Sequence, residues 1–377
     1  MSDLSLYIHV PFCRSKCGYC SFVSFTGRER DIPTYIEAVS QEIRLTRRPG
    51  TVVKTAYLGG GTPSLLAVED IRKILDVIHD CYAFDPYAEI TLEANPGTVN
   101  DPYLKSVHAL GINRLSLGVQ SLADTELAFL SRCHNSAQAR QSIIEARDAG
   151  FSNLSLDFIY GLPGRCLSNW ETMLGEIVEL GADHLSLYGL TVEPDTVLGA
   201  AVASGQTPAP DADEAAGEYE MASTALEAAG YYHYEISNWA KRGFESRHNA
   251  VYWRRGEYLG FGVAAHSFIE GRRVANTTNL DGYLNSLASG VLPPREIENI
   301  GDDAALSEAI FLGLRLDEGI SMDDIGRHFN IDLNRRYVSE MVELSGLGLV
   351  ETSGGKLRLT PKGRLLSNEV FIRFLPQ

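Results

Sequence analysis

Three cysteines stand close together near the amino terminus, in the run His9-Val10-Pro11-Phe12-Cys13-Arg14-Ser15-Lys16-Cys17-Gly18-Tyr19-Cys20, directly after a short apolar segment. A Cys-x3-Cys-x2-Cys spacing lets three thiolates wrap three irons of a cubane cluster and leaves the fourth iron without a protein ligand. Structural clusters and structural zinc sites normally fill all four positions, so the open iron is a place for chemistry. Two other readings of the same residues are a zinc site that recruits His9 as fourth ligand, and cysteines that hold no metal. The remaining cysteines, Cys81, Cys133 and Cys166, are scattered through helical or loop patterns. A lone thiol in such a place is ordinarily a small hydrophobe, and these three receive no role.

A second motif, Gly59-Gly60-Gly61-Thr62-Pro63, lets backbone approach a ligand's amino group without obstruction by Cβ atoms. Alone a glycine triplet is a turn; one strand–helix unit after the cysteine loop it becomes a binding element. The elements that must position both motifs alternate from residue 4 to about 240, short apolar strands with longer segments of helical period. Leu-Ser-Leu opens a strand at 4–6, 115–117, 154–156 and 185–187, and Thr55–Leu58 and Glu89–Glu93 add two more. Helical candidates lie near Thr34–Arg47, Val68–Cys81, Pro102–Leu110, Ala137–Ala149, Asn169–Leu180 and Asp213–Ala229. Six such units predict an α/β fold, a partial (β/α)6 barrel over residues 1–240. Active sites gather at the carboxyl ends of such strands. There lie Tyr7 and the cysteine loop, the glycine motif, Glu93, Gln120, Asp157 and Thr191.

The rhythm breaks near residue 240. A connecting segment, 241–300, begins with the aromatic and basic stretch from Lys241 to Ser267. Residues 301–377 read as a smaller α+β region resembling a winged helix, with helix, short helix, helix and a hairpin turning at Gly354-Gly355. That fold is reused as a packing or partner module, so it does not by itself imply DNA binding. The balance of 33 Lys and Arg against 49 Asp and Glu gives the chain a net charge of −16, which would repel a phosphate backbone. Nucleic acid is not an expected partner. No apolar run is long enough to span a bilayer, and the first residues lack the charged and cleavable pattern of a signal peptide, so the expected location is the cytoplasm. Six cysteines in 377 residues are too sparse for a disulfide scaffold.

The cysteine loop followed by Gly-Gly-Gly-Thr-Pro resembles the radical S-adenosylmethionine (SAM) superfamily over the barrel to about residue 240. Tyr7-Ile8-His9-Val10-Pro11-Phe12-Cys13, Leu92–Pro96, Gly118–Ser121, Arg132 and Asp157–Gly164 are similar to the oxygen-independent coproporphyrinogen III oxidases and their relatives. The resemblance implies a [4Fe–4S] cluster on Cys13, Cys17 and Cys20, with SAM at its open iron. It implies that Gly60, Gly61 and Thr62 contact SAM, that Glu93 bonds a ribose hydroxyl and that Arg132 pairs with the SAM carboxylate. Tyr7, Tyr19, Gln120, Asp157 and Thr191 would complete the pocket.

Two departures set the chain apart from the oxidase itself. Cys20 is followed by Ser21 and Phe22, whereas the oxidase loop continues Cys-x-Cys; and the first strand begins at Leu4, without the extension that helps the oxidase hold substrate. Present instead is His248-Asn249-Ala250-Val251-Tyr252-Trp253, a His-Asn-x-x-Tyr-Trp segment that resembles the radical SAM haem chaperones. A neutral imidazole suits haem iron and neighbouring aromatics can cover a porphyrin. The resemblance therefore implies haem as a ligand held near His248, Asn249, Tyr252 and Trp253, with Arg247, Arg254 and Arg255 available for propionates. It implies haem-requiring respiratory enzymes as recipients and an electron donor for the cluster. Membrane contact would run only through a protein partner, because no basic amphipathic helix or lipidation motif is present. Coproporphyrinogen oxidation is the alternative reading.

Overall fold

The computed structural model describes residues 2–376. Six parallel strands run β1 (Ser2–Val10), β2 (Thr51–Gly60), β3 (Ala83–Ala94), β4 (Arg114–Gln120), β5 (Leu154–Tyr160) and β6 (His184–Gly189), each neighbour to the next. The expected helices all form, Val68–Cys81 with the bounds the periodicity predicts and the others within two residues at each end. Two short helices, Asp124–Phe129 and Val197–Ala203, had no clear periodic signal.

The Leu-Ser-Leu repeat has a physical meaning. Successive side chains of a strand point to opposite faces, and the leucines, together with Ile8, Val10, Ile90, Leu92 and Phe158, are buried under the outer helices. The residues between them point inward and are polar: Ser116 on β4, Ser155 and Asp157 on β5, and His184 and Ser186 on β6 all line one cavity. A parallel sheet buried on both faces would ordinarily read as continuously apolar. The polar inner row is therefore the sequence trace of a ligand site rather than of a filled core.

The sheet does not close. At one end β8 (Asn238–Ala240) adds antiparallel to β6, and β7 (Tyr232–Glu235) pairs antiparallel with β8 at the edge. At the other, β9 (Tyr258–Phe261) joins β1 in parallel, followed by β10 (His266–Ile269), β11 (Arg272–Asn276) and β12 (Arg295–Asn299) in antiparallel order. Segment 241–300 is thus no linker. Its Leu259, Phe261, Val263, Leu280 and Tyr283 belong to the same core as β1 and β2.

One buried carboxylate fastens this extension. Glu42, fully buried on helix Ile32–Leu45, accepts bonds from Gly262 N (2.8 Å), Asn276 Nδ2 (2.7 Å) and Tyr283 Oη (2.7 Å), and pairs with Arg295 at 2.8 Å.

The carboxyl-terminal region has a core of its own, centred on Leu306, Ile310, Leu344, Leu357 and Phe374. Helices Asp302–Gly313, Met322–Phe329 and Val338–Gly346 pack on a small antiparallel sheet of β13 (Ile320–Ser321), β14 (Val350–Ser353) and β15 (Lys356–Leu359). The hairpin turns at Gly354 and Gly355, both at positive φ, in the order the sequence predicts for a winged helix.

Candidate functional site

The cysteine loop leaves β1 and is tied back to its own exit. Cys13 N donates to Phe25 O at 3.0 Å and Phe25 N to Pro11 O at 2.6 Å, while Cys20 N closes a turn on Cys17 O at 3.1 Å. His9 supports the loop from beneath. Its Nε2 bonds Val23 O at 2.9 Å and its Nδ1 meets the Tyr7 hydroxyl at 3.0 Å. Both ring nitrogens are engaged, so His9 is not the fourth ligand of a zinc site. All three thiols are free and line one cavity of about 470 Å3.

That cavity brings together Gly60, Gly61, Thr62, Glu93, Gln120, Arg132, Asp157, Thr191 and Tyr19 beside the cysteines. The glycines are required by geometry. A Cβ on Gly61 would fall 2.8 Å from Phe12 O and 3.0 Å from Cys13 Sγ. Gly60 has φ +115°, and a Cβ there would sit 2.4 Å from His9 Nδ1. Gly60→Ala is therefore expected to destabilise the fold by about 1–3 kcal/mol through backbone strain and to displace His9 from Val23. Chemical denaturation and SAM titration of the cluster-loaded variant check this; unchanged values in both would refute it.

Arg132 lies over the loop. Nη1 donates to Cys17 Sγ at 3.2 Å, and Nη2 to Asn95 Oδ1 at 2.5 Å and Gly118 O at 2.9 Å, while its buried Nε has no partner among the described residues. An unpaired buried guanidinium N–H costs free energy until an acceptor arrives, which suits a ligand carboxylate. Thr62 Oγ1 accepts from Asn95 Nδ2 at 3.0 Å and reaches Cys13 Sγ at 3.5 Å. Gln120 enters by way of a register shift between β4 and β5, which leaves it at φ +69°. Such bulges re-aim side chains at functional sites.

The His-Asn-x-x-Tyr-Trp segment forms helix Arg247–Trp253, capped by Ser246. Its first N–H groups donate to the buried Glu89 carboxylate of β3, from Arg247 N at 3.1 Å and His248 N at 2.9 Å. The sequence match to known proteins places the chain. The radical SAM superfamily matches residues 7–177 and the HemN C-terminal domain matches residues 302–366. The haem chaperone HemW of Bacillus subtilis is 36% identical, with 98% of this chain and 99% of the relative covered. The chain belongs to the HemW family. A HemW of Mycobacterium tuberculosis is 37% identical over 97% of this chain and 93% of the relative. A mitochondrial radical S-adenosyl methionine domain-containing protein 1 of Mus musculus is 34% identical over 99% of this chain and 87% of its own. In fold, the chain is similar to the coproporphyrinogen III oxidase HemN from Escherichia coli, with a TM-score of 0.86, 24% identity and coverage of 99% and 90%.

Within this chain the structure separates residues that the sequence grouped. Tyr7 does not reach the cavity of the cysteines; it lines a neighbouring groove, with its hydroxyl on His9. His248 is 1% exposed. Its Nδ1 bonds Thr55 Oγ1 at 2.7 Å and its Nε2 the Tyr252 hydroxyl at 2.8 Å, and its ring stacks on Tyr57 with centroids 5.0 Å apart. Burial pushes its pKa down to about 3. As packed, both ring nitrogens of His248 are engaged within the protein and neither is open to an iron. Its helix is instead a wall, with Asn249 lining the cavity and Tyr252 the groove. Trp253 faces the Arg315 guanidinium, 4.2 Å from its ring, away from both. The arginines are also taken: Arg254 pairs with Glu318 at 3.1 Å, Arg255 with Glu308 at 3.0 Å, and Arg247 donates to Tyr87 O at 2.6 Å.

Sequence reasoning passed over Asn95, which braces both Arg132 and Thr62, and Tyr57, whose hydroxyl donates to Glu93 Oε1 at 2.7 Å. Strand alternation from Thr55 was the signal for Tyr57. Gly60 N also donates to Glu93, at 3.1 Å. Burial at the cavity floor nevertheless pushes the Glu93 carboxyl up from 4.5 to about 7, the Asp157 carboxylate adding to the rise. A folded-state value above the unfolded one means the proton is held by the fold. The associated stability is present below pH 4.5 and is lost as pH rises through about 7. For the ribose contact that the resemblance implies at Glu93, a diol donates best to the ionised form, so SAM affinity is expected to rise about tenfold from pH 6 to pH 8, following the ionised fraction. In Glu93→Gln the dependence should vanish; a variant that keeps it would remove Glu93 from this role.

Proposed function

We propose that this chain is a radical SAM haem chaperone, one that binds haem and passes it to haem-requiring respiratory enzymes. The observation that carries the reading is the reach of its likeness to haem chaperones, which spans 98% of the chain and so takes in the cysteine loop, the helix Arg247–Trp253 and the carboxyl-terminal region. In this reading Cys13, Cys17 and Cys20 hold a [4Fe–4S] cluster. Gly60, Gly61 and Thr62 would receive the amino group of SAM, Arg132 its carboxylate and Glu93 its ribose, with Tyr19, Gln120, Asp157 and Thr191 closing the pocket. When bound, cluster and SAM supply one-electron cleavage of a sulfonium carbon–sulfur bond, with the barrel fixing and shielding the reacting groups.

The chain's own part is to hold and exclude. Asn95 fixes Arg132 and Thr62 against the thiols, Tyr57 orients Glu93, and the helix Arg247–Trp253 walls the pocket from the groove beside it. The electron must come from an external one-electron donor. Among the described residues no helix is long and apolar enough to cross a membrane, and delivery to a membrane enzyme is proposed to run from the cytoplasm through a direct protein contact.

Optical titration of haem into anaerobically reconstituted, cluster-loaded protein tests the reading. Saturation near one haem per chain is expected, and no saturable uptake would end it. In a parallel assay with SAM and reductant, coproporphyrinogen III should remain unconverted; protoporphyrinogen IX in catalytic amounts would replace the chaperone by the oxidase.

A further inference from the structure

We propose that haem docks in the groove on the far side of the cysteine loop, with His266 as the imidazole ligand of its iron. The proposal rests on the haem-binding reading above and supplies the site that His248, as packed, does not offer.

The groove has a volume of about 700 Å3 and lies where the sheet extension meets the cysteine loop, within the range of small-molecule sites. Ser21 and Phe22 line both the groove and the cavity of the thiols, so one short segment after Cys20 borders the two, alongside the helix Arg247–Trp253. The wall is aromatic: Tyr252 and Tyr258 meet edge to face with centroids 4.7 Å apart, and the Phe22 ring stands 67% exposed at the mouth. The Phe22 ring continues the aromatic surface of the two tyrosines at the mouth, and a porphyrin is a flat apolar plate that such rings cover.

The nine histidines leave one able to reach iron from a cavity. His9 and His248 have both nitrogens engaged, as does His184, bonded to Ser155 at 2.8 Å and to Tyr234 at 2.8 Å. His134 is buried on Val119 O, and His233 is enclosed by Tyr219, Ser223 and Arg364. His79, His108 and His328 sit on helices and line neither the cavity nor the groove. His266, the first residue of β10, is exposed, lines the groove and makes no side-chain hydrogen bond to another described residue. Phenolate ligation by the groove tyrosines is disfavoured, because burial holds the hydroxyls of Tyr7, Tyr252 and Tyr258 above their ordinary pKa.

A propionate has a partner at the rim. Arg295, which lines the groove, spends Nε on Asn276 and Nη2 on Glu42, and its five-donor fork keeps further N–H groups for an anion. Glu296 lies at the same rim, so the second propionate would stay in water.

His248 then acts through Tyr252. Its Nε2 holds the Tyr252 hydroxyl in the groove wall, and its ring stacks on Tyr57, which bonds Glu93 in the cavity. It is a positioning residue.

The test compares ferric haem bound to cluster-loaded wild-type protein, His266→Ala and His248→Ala, by haem titration and by magnetic circular dichroism of the ferric iron. The result expected is an imidazole-ligated spectrum in wild type, its loss in His266→Ala with affinity at least tenfold weaker, and its recovery on adding free imidazole. His248→Ala should keep the imidazole spectrum while weakening affinity by a smaller factor. His266 is exposed at a strand end, so the variant should match wild type in its unfolding midpoint. If His266→Ala keeps the wild-type spectrum, or His248→Ala loses it while His266→Ala does not, the proposal falls and the haem-binding reading stands. If wild type takes up no haem, that reading falls instead.

Discussion

Replacing Cys17 with alanine is expected to give protein that folds as wild type does but reconstitutes with less than about one iron per chain in place of a cubane. Three protein thiolates are the minimum that can hold an open cubane, so two leave it with two unprotected corners. The fold should survive because Cys17 lies half-buried on a loop outside the main apolar core. Its side-chain hydrogen bond comes from Arg132, which keeps Asn95 and Gly118 as acceptors when the thiol is gone. SAM binding should fall by at least about 100-fold, because its amino and carboxylate groups would lose the iron they are proposed to chelate and only the contacts proposed for the glycine wall, Arg132 and Glu93 would persist. Iron and sulfide analysis with an unfolding curve separates the effects. A variant retaining four irons and four sulfides per chain would remove Cys17 from the cluster, and loss of the folded state would move it into the structural frame.

Much of the barrel was legible because its signals are local. The Leu-Ser-Leu segments became β1, β4, β5 and β6 with their serines inward, and a run of glycines one unit after the cysteines placed the ligand wall at the end of β2. The left-handed conformation of Gln120 was not legible, since it arises from a slipped register between two strands rather than from the Gln itself. The burial of His248 was not legible for a related reason. A histidine beside Asn, Tyr and Trp reads as an open ligand, and its burial depends on β9 adding in parallel to β1 and on Glu89 of β3 capping the helix, contacts from more than 150 residues away. His266, in Gly262-Val263-Ala264-Ala265-His266-Ser267, reads in sequence only as a further polar candidate. What distinguishes it is the groove that only the folded extension creates.

The same extension is the basis of the second large effect: Glu42→Ala is expected to destabilise the protein by about 3 kcal/mol or more. Removing one member of a buried charged network leaves the others desolvated without partners, a loss of about 3–5 kcal/mol when burial is complete. Arg295 retains a fifth of its side-chain exposure, so part of its charge returns to water and the lower end of the range applies. The Gly262 N–H, the Asn276 amide and the Tyr283 hydroxyl have no such escape, each buried donor adding about 1 kcal/mol or more. In sequence Glu42 lies on the buried face of its helix with Tyr35, Ile36, Val39 and Ile43, and a carboxylate in such a stripe is a sign of buried partners that the periodicity reading passed over. The consequence reaches the groove, because Asn276 and Arg295 both line it. Denaturant unfolding should show the lower stability, and haem titration should show weaker uptake even where the variant is still folded, with iron content of the cluster unchanged. Stability within about 0.5 kcal/mol of wild type would show that the extension is held by its strand pairing alone. Lower stability with unaltered haem uptake would separate the groove from the hub that is proposed to shape it.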